Sequence, residues 1–200
     1  MNKDLYTAMK ERRSIYAIGK RKVVPESRVQ EIVQYAALHV PSPFNSQSSR
    51  TVVLFGGESS AFWDIVRAEL KKIVPAEAFA KTEEKLAGFD SGYGTVLFFE
   101  DQSVVKGLMD NFPLYADNFP VWSLESNGML EYAIWLGLES EGLGASLQHY
   151  NPLVDEAVRA KWKLPESWKL LAQMPFGSVE APAGTKEFQP VETRVWTFGL

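Results

Sequence analysis

Apolar side chains recur at helical spacing over 26–39, where Val29, Ile32, Val33 and Ala36 share one face behind the start signal Pro25. The same periodicity predicts helices over 59–73, with Phe62, Ile65, Val66, Leu70 and Ile73, and over 76–87. A helix over 3–13 carries Leu5, Ala8 and Met9 on one side and leaves through the basic residues Lys10, Arg12 and Arg13. Residues 123–141 are apolar around much of their circumference, which predicts a central helix, stopped by Gly142 and Gly144. Continuous apolar runs, TVVLF at 51–55 and GTVLFFED at 94–101, read as buried strands. ASLQHY at 145–150 and WKLLAQMPFGSV at 168–179 supply two more, with a helix over 152–162 between them. PSPFNSQSSR, 41–50, is a loop. After a short helix following residue 101, the stretch Asn111–Trp122, with its two prolines and aromatics, has no clear period and predicts a mobile or interface loop. The tail begins as loop and closes with a strand-like run. Several helices among few strands favour an α+β three-layer sandwich over a doubly wound sheet.

Composition narrows the chemistry. With 46% hydrophobic and 23% charged residues, 200 residues form one ordinary folded domain, and disorder is set aside. A net charge of −4 argues against nucleic acid as a partner. No cysteine is present, which excludes disulfides, thiolate nucleophiles and iron–sulfur clusters. The charged N-terminus lacks the apolar core of a secretory signal, and no run approaches the ~18 apolar residues of a membrane span, so a cytoplasmic protein is expected. Two histidines with no HExxH spacing offer no metal site. An enzyme of this composition is expected to borrow its chemistry from a cofactor.

Four segments carry candidate groups. Arg12-Arg13-Ser14 could clamp a phosphate, since the guanidinium fork matches phosphate oxygens bidentately; taken alone it reads more readily as a solvated helix end. Ser42, Asn45 and Gln47 offer paired donors and acceptors for the imide-like edge of a planar heterocycle, but alone they read as a polar turn. Gly142-Leu143-Gly144 lets backbone approach a flat ligand and leads into Leu147, Gln148 and His149. Lys186 and Arg194 in the tail are singly ordinary surface charges. No Walker loop or Rossmann glycine fingerprint follows a strand.

The order of these segments resembles that of the nitroreductase family of flavoproteins. ERRSIYAIG at 11–19 is similar to its opening Arg-x-Ser motif, PSPFNSQ at 41–47 to its P-S-x-x-N-x-Q loop, and LESEGLGASLQHY at 138–150 to its helix-to-strand junction. With the closing KEFQPVETRVWTFG, the likeness is greatest to the compact bacterial and fungal subgroup named after a fatty-acid-repression mutant. It covers nearly the whole chain. Where many members have Lys, this chain has Tyr16, and Leu-Gln-His-Tyr replaces the Pro-x-Glu-Gly or Pro-x-Gly-Gly turn of larger members.

The resemblance implies one FMN-binding domain over 1–200, an α-β-α sandwich in an intertwined homodimer whose sites draw on both chains. Arg12 and Ser14, with Arg13 and Tyr16 beside them, would hold the phosphate and ribityl end, completed by Lys186 or Arg194. Ser42, Asn45 and Gln47 would reach the ring from the second copy, and Leu147, Gln148 and His149 would line it. Phe112, Tyr115 and Phe119 would face the acceptor. NADH or NADPH would reduce the flavin, which would pass hydride to nitroaromatic or quinone-like acceptors in a ping-pong cycle, with no catalytic side chain required. The alternative is a flavin-binding regulator or sensor linked to lipid or stress signalling, with little turnover; a flavin-destroying or dehalogenating relative is a weaker third reading.

Overall fold

The structure is a computed structural model that describes residues 3–199. Along the chain run α1 (Leu5–Glu11), β1 (Ile18–Gly19), α2 (Glu26–His39), β2 (Ser49–Phe55), α3 (Gly57–Leu70), α4 (Phe79–Asp90), β3 (Gly94–Asp101) and α5 (Gln102–Asn111). They are followed by α6 (Phe119–Ser140), β4 (Leu143–Ala145), α7 (Asp155–Trp162) and β5 (Trp168–Val179). Short 3-10 turns occupy Pro43–Asn45, Pro113–Tyr115 and Val191–Thr193.

The unbroken apolar run of β3 has a direct structural cause: every one of its residues is buried. Side chains of a strand alternate between faces. Val96 and Phe98 therefore enter a core with Ile32 and Val33 of α2 and Leu130, Ile134 and Leu138 of α6. Leu97 and Phe99 enter a second core with Trp63 of α3, Leu86 of α4 and Val158 of α7. Two helical layers thus cover one sheet, and the α+β three-layer expectation holds. All strand pairings are antiparallel; β5 pairs with β1, β3 and β4, and β2 pairs with β3.

Three expectations need correction. The segment ASLQHY is not a strand. Ladder pairing ends at Ala145, and only Gln148 pairs again, exchanging both backbone bonds with Gln173 at 2.7 and 2.8 Å. The interruption lies opposite Pro175, whose carbonyl accepts from Ser146 N at 3.3 Å but which has no N–H to return. The stretch Asn111–Trp122 is not wholly irregular either. It holds a 3-10 turn and the first turn of α6, where Pro120 sits at a position whose N–H has no helical partner to lose. The end of the tail is no strand: it contains one 3-10 turn, and its side chains are exposed.

Candidate functional site

Residues 12–17 are fixed on both sides by backbone. Arg12 caps α1, its N–H donating to Ala8 O at 2.9 Å. Ser14 then bridges Ala145 in parallel, and Ile15 N donates to Ala145 O at 2.9 Å. Gly144 makes this crossing possible, because a Cβ there would stand 2.8 Å from Ile15 Cγ2. The Gly-x-Gly turn, read from sequence as room for a ligand, is at Gly144 room for the chain's own Ser14–Ile15 segment. β1 next pairs with the end of β5, and the chain leaving β5 passes back over residues 12–17.

Between these segments lies an open cleft of ≈ 590 Å³ whose walls include Arg12, Arg13, Ser14, Tyr16 and Lys186. The Arg12 guanidinium lies 4.3 Å over the ring of Trp135 of α6, and its Nε is buried without a hydrogen-bond partner. Among the described residues no ion pair involves Arg12, Arg13 or Lys186. Three cations beside one cleft, one with an orphaned buried N–H, fit a phosphate, which carries charge and several strong acceptors. Arg194 stands elsewhere, exposed in the tail, and does not line the cleft.

The amide loop forms a second region. Its backbone is left-handed at Phe44, Asn45 and Gln47, with φ of 54°, 51° and 49°. Ser42 Oγ accepts from Gln47 N at 2.9 Å, and Arg50 Nη1 donates to Gln47 O at 2.6 Å. Beneath the loop is a cavity of ≈ 40 Å³ bordered by Ser42, Gln47, Ser48, Ser49 and Ser126. Ser49 Oγ donates to the fully buried Glu100, and Asn127 Nδ2 of α6 donates to Phe99 O at 3.0 Å and Glu100 Oε1 at 3.1 Å. Neither Ser42, Asn45 nor Gln47 lines the basic cleft of the same chain.

Leu147 is half-buried against the α2–α6 core, while His149 is exposed. Gln148 is buried and its amide already donates to Ser146 Oγ at 3.1 Å, so its backbone and side chain are both engaged within the fold. Phe112 and Tyr115 are 39% and 45% exposed, but Phe119 is 1% exposed. The expectation that Phe119 offers a face to an acceptor is therefore corrected: as the first residue of α6 it is buried, and its ring packs against that of Phe112.

Sequence reasoning missed Phe44, whose ring joins this group at 4.7 Å from Phe112 and 5.3 Å from Phe119, and Trp135, which backs Arg12. Phe44 stood inside the PSPFNSQ motif and its aromatic character was the available signal. Trp135 gave none, since its partner lies far away in the chain.

A sheet sandwiched between two helical layers defines an α+β protein, and the cationic cleft is its candidate site. The chain belongs to the nitroreductase family: the family profile matches residues 9–178, which makes it an oxidoreductase. It is 36% identical over 180 residues to HBN1 of Saccharomyces cerevisiae, covering 88% of this chain and 89% of that one. The nitroreductase CinD of Lactococcus lactis, solved with chloramphenicol, superposes with a TM-score of 0.90 at 47% identity, covering 98% and 100% of the two chains. CinD has also been solved with nicotinic acid and with 4-nitrophenol. A Desulfovibrio desulfuricans protein solved in complex with FMN shares the fold, with a TM-score of 0.71 at 17% identity over 100% of this chain and 99% of that one.

Proposed function

We propose that this chain is an FMN-dependent reductase that takes hydride from NADH or NADPH and delivers it to nitroaromatic or quinone-like acceptors in two separate half-reactions. The observation that carries the reading is the cleft in which Arg12, Arg13 and Lys186 stand without carboxylate partners while Arg12 Nε is buried and unbonded. Bound FMN would supply the hydride chemistry, as reductant and acceptor occupy the site in turn. Arg12 and Arg13 would neutralise its phosphate, Lys186 would close the site from the tail, and Ser14 and Tyr16 would flank the phosphate and ribityl end. Trp135 backs the Arg12 guanidinium, which lies 4.3 Å over its ring, so less side-chain freedom would be lost on binding.

Leu147, Gln148 and His149 would stand along the ring, and Ser42, Asn45 and Gln47 would reach it from a second copy of the chain. The homodimer is supported by the apolar surface the protomer leaves open. Trp196 and Phe198 are 76% and 91% exposed, and Leu5 and Tyr6 of α1 with Val121 and Leu124 of α6 are exposed as well. Large apolar side chains left exposed in this number favour burial against a second copy of the chain. Phe112 and Tyr115 would stack flat acceptors, a reading supported by the aromatic ligands of CinD. Among the described residues no helix is long and apolar enough to cross a membrane, and we propose a cytoplasmic setting.

The deciding experiment is the visible spectrum of the purified chain with added FMN, followed by anaerobic addition of NADH or NADPH. Flavin bands that bleach rapidly with one of them are expected. An unchanged spectrum of free FMN would overturn the cofactor assignment, and bound flavin that resists reduction would overturn the reductase. Sedimentation is expected to give a dimer; a flavin-loaded monomer at micromolar concentration would remove the second copy from the site.

A further inference from the structure

The amide loop adopts a conformation its residues do not favour. Left-handed backbone crowds a Cβ against the following carbonyl, which asparagine tolerates and phenylalanine and glutamine do not. Yet Phe44 (φ 54°, ψ 24°) and Gln47 (φ 49°) both adopt it, on either side of Asn45–Ser46. Strain of this kind persists only where the surroundings enforce it.

The hydrogen bonds at hand are local. Asn45 N donates to Ser42 O and Ser46 N to Pro43 O, each at 3.0 Å, and Gln47 N donates to Ser42 Oγ at 2.9 Å. These bonds close the loop upon itself, and its far end is tied to β2 through Arg50 Nη1, which donates to Gln47 O at 2.6 Å, whereas among the described residues no such bond reaches the near end at Phe44. The Phe44 ring anchors that end: its centroid lies 4.7 Å from that of Phe112, 5.3 Å from Phe119 and 6.0 Å from Tyr115. Phe119 is itself buried at the start of α6, so the ring docks on a fixed wall. The side chain is nevertheless 53% exposed, which marks it as a strut at the surface and not as a core residue.

We propose that Phe44 is a positioning residue, whose docked ring holds the loop in its left-handed form and thereby presets the exposed side chains of Asn45 and Gln47 for the planar ring of FMN. The proposal rests on the FMN reading above. It adds that cofactor loop and acceptor-side aromatics form one mechanical unit, because Phe112 and Tyr115 grip the same ring.

The test is FMN titration of the apoprotein for Phe44→Tyr, Phe44→Gly and Phe44→Ala, with amide hydrogen exchange at Ser46 and Gln47 measured without FMN. Phe44→Tyr keeps the ring and is expected to stay within about twofold of wild type. Phe44→Ala loses the ring but keeps the Cβ strain, and is expected to bind FMN about tenfold more weakly with faster exchange at both amides. Phe44→Gly also loses the ring, but glycine adopts the left-handed form freely, so it should recover part of the loss. An ordinary apolar contact predicts no such recovery, since glycine adds chain freedom that binding must remove. Glycine weaker than alanine, or alanine equal to wild type in affinity and exchange, would overturn the assignment. Wild type that protects these amides but binds no FMN would overturn the flavin reading, and this one with it. Should Phe44→Ala fail to fold, the exchange rates of Phe44→Gly against Phe44→Tyr decide the matter.

Discussion

The basic cleft and the amide loop are both polar, and they are built in opposite ways. In the cleft the backbone is relaxed and pinned by the sheet, while the charged ends of Arg12, Arg13 and Lys186 have no carboxylate partner. In the loop the backbone is strained, and it is held by bonds from Gln47 N to Ser42 Oγ and from Arg50 to Gln47 O, while the Ser46 and Ser48 hydroxyls are buried without a partner. The cleft can therefore attract through charge, which salt screens. The loop attracts little and contributes shape. Helix α6 serves both: Asn127 reaches the polar cluster beneath the loop, and Trp135, two turns on, backs Arg12.

This contrast can be broken or sharpened experimentally. The largest effect is expected at Phe119, the buried wall on which Phe44 and Phe112 rest. Phe119→Ala should lower stability by about 3–5 kcal/mol in denaturant unfolding. A loss below about 1 kcal/mol would mean that the wall is not part of the core. Next comes Arg12→Ala, expected to weaken FMN by about 1.5–3 kcal/mol, more steeply at low salt than at high, in a fluorescence titration. An affinity indifferent to salt would assign cofactor binding to shape instead of charge and erase the contrast.

A smaller effect is expected at Glu131, midway along α6 between Asn127 and Trp135. Burial pushes its carboxyl up to about 7 from an ordinary 4.5. A raised carboxyl holds its proton in the folded state and loses it when unfolded, so stability falls as pH rises from about 4.5 through 7. Glu131→Gln should then stabilise the protein at pH 8 by on the order of 1–2 kcal/mol, allowing for solvent screening, and leave it unchanged near pH 4. Equal unfolding midpoints for the two proteins at pH 8 would show that the side chain is hydrated. The smallest effect belongs to Phe112, which is part-exposed. Phe112→Ala should cut kcat/KM for bicyclic acceptors several-fold, the worth of a stacked ring, and should weaken FMN less than Phe44→Ala does, because Phe119 and Tyr115 still hold the Phe44 ring. Equal losses for small and bicyclic acceptors would argue against stacking.

How much of this was legible in the sequence depended on how local the cause was. The helix over 26–39 and the strand over 94–101 agree with the structure residue for residue, because a periodic face and a run buried on both sides are written in consecutive positions. The start of α6 was missed because Pro120 reads as a breaker, although it is harmless in a first turn. β4 was misjudged because what interrupts it, Pro175, stands in another strand, and the two residues of β1 are too few to show a pattern. In the site, Arg12, Arg13, Ser14 and Tyr16 are neighbours in the chain, and the family likeness linked them to Lys186. The left-handed turn at Phe44 and the stacking of Arg12 on Trp135 arise from contacts across the fold, which no local window contains.

The position of β5 has a consequence for how the molecule comes into being. It is the last strand along the described chain, yet three others pair with it. During synthesis, β1, β3 and β4 therefore emerge before the strand that joins them exists. The β2–β3 hairpin, with α3 and α4 between its strands, can form early, but it presents a bare edge until residues 168–179 arrive. Unpaired edges of this kind are where growing chains stick to one another. For this protein the vulnerable interval runs from the completion of β3 at Asp101 and closes only when the central strand, β5, has left the ribosome.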